Sequence, residues 1–204
     1  MRLVLASGSP RRRELLTHLG WPFVVQRPDI DETPFPTEPA DQYVTRLSRE
    51  KALVVTAEPD DWIIAADTTV ALGNDILGKP ADATEAVAML GQLRGREHTV
   101  YTGLTLRIVH SGAITTTVSA TRVTMRNYSD ADIDRYVASN EPYDKAGGYA
   151  IQDVLFRPVA AIDGCYANVM GLPLCILSVM LAAQGILSPT AIGCRADNRP
   201  CVAE

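Results

Sequence analysis

The stretch from His98 to Met125 limits the fold more than any other part of the chain. It holds two long runs, HTVYTGLTLRIVH (98–110) and AITTTVSATRVTM (113–125), separated by Ser111-Gly112. Both are rich in Thr and Val, whose branched side chains suit extended backbone, so they are predicted to form a β-hairpin. The first half of the chain follows another pattern, in which short strand-like and helix-like segments alternate. RLVLA (2–6) reads as a strand, residues 10–19 as a helix ending at Gly20, and FVVQ (23–26) as a second short strand. A long hairpin joined to alternating strands and helices predicts an α/β domain with a mixed sheet, and argues against a doubly wound unit.

The remaining segments fit that frame. A Pro-rich loop, RPDIDETPFPTEPAD, leads to a predicted helix over 41–57 with Asp41 near its start. DWIIAADTTVAL (61–72) reads as a strand, and DATEAVAML as a helix with Asp82 and Glu85 spaced as a capping box. SDADIDRYVAS is a second capped helix, with Ser129 and Asp132 as its box and Pro142 beyond its end. The Gly-rich KAGGYAIQD leads to a last strand near 157–162 and to a C-terminal helix within LPLCILSVMLAAQGIL. Residues 1–187 are predicted to form one domain and 188–204 a loose tail.

Bulk properties narrow the class of partner. The chain is 47% hydrophobic and 21% charged, with a net charge of −5, which argues against a general nucleic-acid coat. A local basic cluster in such a background points to a small anionic ligand. The most apolar stretch is short and broken by Pro173, Ser178 and Gln184, so no membrane span is expected. No signal-peptide pattern opens the chain, and the cytoplasm is the expected compartment. Of the four cysteines, Cys165 and Cys175 sit in apolar surroundings and read as buried thiols. Cys194 and Cys201 flank RADNRP in the polar tail, where no CxxC or Cys/His cluster supports a metal or disulfide role.

Several residues break local rules. In SGSPRRREL, Ser9 is placed as an N-cap and Pro10 as the first helical residue, so three arginines crowd a helix start that already carries partial positive charge. Free N–H groups, two serines and guanidinium groups there make an anion site, with Arg11 and Arg12 as its contacts and Arg13 left to solvent. No GxxxxGK[ST] or GxGxxG occurs, so this is neither a P-loop nor a dinucleotide fingerprint. The chain carries 16 arginines but only the three lysines Lys51, Lys79 and Lys145. On a helical wheel, Lys51 falls within an apolar arc of about 120° made by Tyr43, Val44, Leu47, Val54 and Val55. A lysine facing inward needs an anion or a cleft. Asp67 follows an apolar run in a buried strand, where a carboxylate must be paired, metal-bound or catalytic. Glu32 lies in the acidic DIDE of the Pro-rich loop, Lys79 in the LGKP turn, and Gln152 offers an amide edge suited to a nucleobase. Together these suggest a polyphosphate held by Arg and Lys, with carboxylates that hold a divalent ion and activate water.

LASGSPRRREL, DET, LSREKA, AADTTV, LGKP, DKAGGYAIQ and VMGLPL, in this order, resemble the motifs of the Maf proteins, nucleoside triphosphate pyrophosphatases of the inosine-triphosphatase-like fold. The resemblance runs from the first strand to Leu174. It implies an elongated mixed sheet flanked by helices, with two lobes around a cleft. It implies cleavage between the α and β phosphates to a nucleoside monophosphate and pyrophosphate, with Mg²⁺ or Mn²⁺. It would make Asp67 the proton acceptor, Ser7, Arg12, Lys51 and Lys79 the phosphate ligands, and Glu32, with Asp67, the metal ligands. The selector set Arg11, Thr68 and Gln152 resembles the dTTP/UTP subtype more than the 7-methyl-GTP subtype. Asp153-Val154-Leu155 departs from the glycine-rich stretch usual in that subtype, which leaves a 7-methyl-GTP or broad specificity as the alternative. A nucleotide-binding regulator of septum formation is the alternative from another class. The family is also compatible with a homodimer.

Overall fold

Strand β1 (Arg2–Ala6) lies between β2 (Phe23–Gln26) and β3 (Asp61–Leu72) and runs parallel to both. From β3 onward the pairing reverses. β3 is antiparallel to β4 (Asp75–Leu77) and to β5 (Glu97–Ile108), β5 to β6 (Ala113–Met125), and β6 to β7 (Val159–Asp163). The result is a seven-stranded mixed sheet in the order β2-β1-β3-β5-β6-β7, with β4 off that path against β3. This is the mixed α/β architecture expected from the hairpin. The structure, a computed structural model, describes residues 1–187 and Cys194. The expected tail over 188–204, Cys194 excepted, and any role of Cys201 lie outside the described residues.

Helices α1 (Pro10–Thr17), α2 (Ala40–Val54), α3 (Ala83–Leu93), α4 (Asp130–Ala138), α5 (Tyr166–Met170) and α6 (Leu174–Ala182) flank the sheet. The local signals explain most of their ends. The Ser9 hydroxyl accepts the Arg12 N–H at 3.4 Å, and Pro10 opens α1. Ser129 and Asp132 form the expected capping box on α4. On α3 the Asp82 carboxylate takes the Glu85 N–H, but Glu85 reaches past the cap residue to the Ala81 N–H.

Most ends shift by one to three residues, α1 stopping at Thr17 and β5 at Ile108, and three differences bear on the fold. α2 stops at Val54 because Val55 is extended (φ −72°, ψ 145°). Val54 is therefore half exposed (51%), and Val55 takes the buried place (8%). The C-terminal apolar stretch carries a nine-residue helix after Pro173, preceded by the separate α5, which ends on the left-handed Gly171 (φ 110°). β4 was missed because three residues are too few to show a period.

The two larger of four hydrophobic clusters among the described residues lie at the two ends of the long central strands. The first joins Leu3, Leu5, Ile64, Ala66 and Leu104 to Leu172, Leu174 and Leu177. The second joins Val70, Val100, Val123 and Met125 to α3 and α4 through Leu90, Ile133 and Tyr136. Residues 67–69 fall on β3 between these two sets, where the lobes part. Helix α2 covers the sheet at one decisive point. Gly103 pairs with Asp67 across β3 and β5, and a Cβ on Gly103 would stand 2.1 Å from the Val44 carbonyl oxygen. Only a glycine lets the helix seat that closely. Lys51, about two turns further along α2, is thereby brought down onto Asp67.

Candidate active site

A cleft of about 750 Å³ opens between the lobes, within the usual range for ligand pockets. Ser7, Arg11, Arg12, Glu32, Lys51, Asp67, Thr68, Lys79 and Gln152 all line it. The sequence scatters these nine residues over the first three quarters of the chain, and the sheet topology gathers them. Ser7 follows the C-terminal end of β1, Arg11 and Arg12 open α1, and Asp67 and Thr68 sit at the lobe boundary on β3.

The most buried part is a charged cluster. Lys51 and Asp67 are each 6% exposed. Lys51 Nζ stands 2.5 Å from Asp67 Oδ1 and 2.6 Å from Glu32 Oε1, so one ammonium bridges two carboxylates. Lys79, more exposed, approaches Glu32 Oε2 at 3.9 Å. Burial pushes the Asp67 carboxyl above its ordinary range, against the pull of Lys51 and Arg12. Burial also raises Glu32, but there the hydrogen bond and charge of Lys51, with Lys79 and Arg12, prevail and hold it below the usual value. Two carboxylates around one lysine are thus pushed in opposite directions, Asp67 up by burial and Glu32 down by its cationic neighbours.

The three arginines part company as the sequence predicted for Arg13, which is exposed. Arg12 is clamped by protein oxygens: its Nε donates to the Gly171 carbonyl at 2.8 Å, and its terminal nitrogens to Thr68 Oγ1 at 2.9 Å and Ser7 Oγ at 3.4 Å. Arg11 instead crosses to the other lobe, donating to Asp144 Oδ2 at 2.8 Å and to the Asp144 carbonyl at 3.1 Å. Gln152 is exposed, in the turn after Ile151.

Several supporting residues escaped the sequence reading. Thr68 Oγ1 shares a 2.9 Å hydrogen bond with Thr102, which donates to the Asn168 carbonyl. Asn168, fully buried, is tied by its amide to the Val100 carbonyl and to Thr121. Gly171 is required beside Arg12: its φ is 110°, and a Cβ there would meet Arg12 Nε and Thr68 Oγ1 at 3.3 Å each. Tyr43, which the wheel treated only as a core residue, donates its hydroxyl to the Glu32 carbonyl at 2.8 Å. Nothing in a threonine's or asparagine's local sequence announces such a chain. Asp144 was legible only as a neighbour of the scarce Lys145, which is itself buried and bonded to Asp144 Oδ1 at 2.7 Å.

The donor set suits a hard divalent ion. Lys51 engages Asp67 Oδ1 and Glu32 Oε1, so Asp67 Oδ2 and Glu32 Oε2, the latter 3.9 Å from Lys79 Nζ, are the oxygens that would face a cation. Mg²⁺ and Mn²⁺ favour this kind of site, one or two carboxylates completed by oxygens of a phosphorylated ligand. What the fold and this cleft bring together is a basic wall beside two carboxylates, a setting that suits an anion carrying several phosphates. The chain belongs to the family described as Maf-like protein, whose model matches residues 2–184. It is 52% identical over 188 residues to the dTTP/UTP pyrophosphatase of Myxococcus xanthus, covering 92% of this chain and 94% of that one. It is 47% identical over 189 residues to the dTTP/UTP pyrophosphatase of Hahella chejuensis, covering 91% and 93%. A HAM1 protein structure from Coxiella burnetii is similar at a TM-score of 0.44 and 19% identity, over 77% of this chain and 92% of that one. Among the described residues no helix is long and apolar enough to cross a membrane.

Proposed function

We propose that the protein hydrolyses dTTP and UTP to the nucleoside monophosphate and pyrophosphate. The observation that carries this reading is the buried Lys51–Asp67 contact at 2.5 Å, in a cleft also walled by Arg12 and Lys79. Asp67, raised in pKa by burial, accepts a proton from water as that water attacks the α–β phosphoanhydride. Lys51 holds the carboxylate in place and, with Lys79 and Arg12, faces the charge that the leaving pyrophosphate gathers. Ser7 contributes a hydroxyl at the end of β1 beside Arg12. Glu32 and Asp67 would hold the divalent ion, which supplies charge neutralisation and Lewis acidity when bound. Arg11, Thr68 and Gln152 form the base-selecting set, supported by the relatives' substrate and by their shared place on the cleft wall. A cytoplasmic location belongs to the same reading, supported by the nucleotide substrate.

The test is a panel of canonical and modified nucleoside triphosphates with Mg²⁺ or Mn²⁺, assayed for monophosphate, pyrophosphate and orthophosphate. dTTP and UTP should lead, with pyrophosphate released. A preference for 7-methyl-GTP, or no preference, would overturn the specificity. Orthophosphate release would overturn the bond assignment. No turnover on any triphosphate would favour a nucleotide-binding regulator.

A further inference from the structure

Away from the cleft, in the core of the first lobe, three cysteines from three separate segments converge. Cys165 caps the start of α5, Cys175 lies in the first turn of α6, and Cys194 is the one described residue beyond 187. The expectation of a polar environment for Cys194 is corrected here: it is 1% exposed and packs with Leu172, Leu174 and Leu177. The three sulfurs all lie within 4.8 Å of one another, and Cys165 Sγ and Cys175 Sγ are 3.9 Å apart. All three are thiols.

The spacing is informative. A disulfide needs about 2.05 Å between sulfurs. A metal bound at about 2.3 Å by three thiolates in a plane holds them about 4.0 Å apart. Two sulfurs also receive backbone N–H groups, Asn168 N to Cys165 at 3.3 Å and Cys175 N to Cys194 at 3.1 Å. Such N–H···S bonds stabilise thiolate charge around bound metals. Cys175 gains further from the partial positive charge at the start of α6. Structural zinc is almost always four-coordinate. Among the described residues no fourth Cys, His, Asp or Glu joins these three.

We propose that Cys165, Cys175 and Cys194 form a three-coordinate thiolate site for a soft monovalent ion of the Cu(I) class. Soft thiolate ligands select such ions, and the apolar surroundings suit low coordination, although Cys175 is only partly buried rather than fully buried as expected. The site ties Cys194 onto the α5–α6 segment, which carries the Gly171 carbonyl that holds Arg12. Ligation by thiolates releases the thiol protons, so binding weakens as pH falls.

The test uses the reduced full-length protein under anaerobic conditions, titrated with Cu(I) against a chromophoric chelator. One ion per chain should bind, with a thiolate charge-transfer band and a Tm that rises with free Cu(I). Cys175→Ser should weaken binding by about 100-fold or more, since even supporting groups outside the ligand shell cost 10–100-fold. Cys201→Ser should bind as the parent does. Equal affinity in the parent and Cys175→Ser, or a loss in Cys201→Ser matching that in Cys175→Ser, would overturn the site. X-ray absorption on the loaded parent gives an answer independent of any variant's folding: three sulfur neighbours are expected, and two or four refute the assignment.

Discussion

The two ends of the cleft are built by different means. At the phosphate end, Ser7, Lys51 and Asp67 are each 6% exposed or less, and Arg12 spends three nitrogens on protein oxygens. That end stands on β1, β3 and α2, whose places are fixed by sheet register and by helix packing at Gly103. At the other end Gln152 sits in an exposed turn, followed by Val154 at 80% and Leu155 at 92% exposure. Asp153 organises that turn by accepting the Leu155 and Phe156 N–H groups at 3.0 and 2.6 Å. On the proposed roles, the chemistry rests on the core, while selectivity draws on Arg11 and Thr68 beside that core and on Gln152 in a surface turn. A family can keep one reaction and vary its base at little structural cost.

The contrast is broken most sharply at Asp67. In Asp67→Asn the buried end keeps its shape, because Glu32 still neutralises Lys51 at 2.6 Å. Turnover should fall by about 10²–10⁴-fold, the usual worth of a positioned base, while circular dichroism and Tm stay near the parent's. Near-parent turnover would remove Asp67 from the chemistry. The parent's kcat/KM should fall as pH drops through the Asp67 pKa, because only the ionised carboxylate accepts a proton. That acid limb should be missing from the residual activity of the Asn variant.

Next in size comes Gly103→Ala, which tests whether the phosphate end depends on helix seating. The new methyl would meet a backbone carbonyl, which has no rotamer to yield. Overpacking of this kind costs about 1–3 kcal/mol, so Tm should drop by several degrees. α2 moves away and Lys51 with it, and kcat should fall about tenfold while selectivity among bases is kept. A variant with parental Tm and kcat would show that the helix finds another seat.

Gln152→Ala probes the exposed end alone. One hydrogen bond to a base is worth about 1.4 kcal/mol at most, so the kcat/KM ratio between dTTP and its competitors should shrink by roughly tenfold. Turnover at saturating dTTP should hardly change. A collapse of kcat with unchanged ratios would place Gln152 with the chemistry and erase the distinction between the ends.

The same division decides what was legible in the sequence. Lys51, Asp67 and Arg12 stood out because each violates a rule of its own element: a charge on an apolar arc, a carboxylate in a buried strand, cations at a helix start. The strands β1, β2 and β3 were read with their observed bounds, since their apolar runs end at clear turns. Thr102, Asn168 and Asp144 break no local rule, and their importance arises only when β5, α5 and the turn at 142–144 meet the cleft. Cys194 was misplaced because its polar flanks say nothing of a contact made with Cys175, 19 positions away.

The smallest effect at neutral pH concerns a buried tie to the exposed end. His98 on β5 is 3% exposed and shares a 2.8 Å hydrogen bond with the Tyr149 hydroxyl, three residues before Gln152. Burial lowers the His98 pKa from 6.5 to about 4. Between these values the unfolded chain binds a proton that the native state refuses, so stability rises with pH across that window and is fully present above it. One proton sets the slope at up to about 1.4 kcal/mol per pH unit. His98→Gln keeps an amide near Tyr149 but cannot titrate. Its Tm should match the parent's at pH 7 within a few degrees and decline less steeply from pH 6.5 towards 4. Parallel Tm curves for the two proteins would mean that His98 takes its proton in the native state, and that the base-side loop hangs from the sheet without this tie.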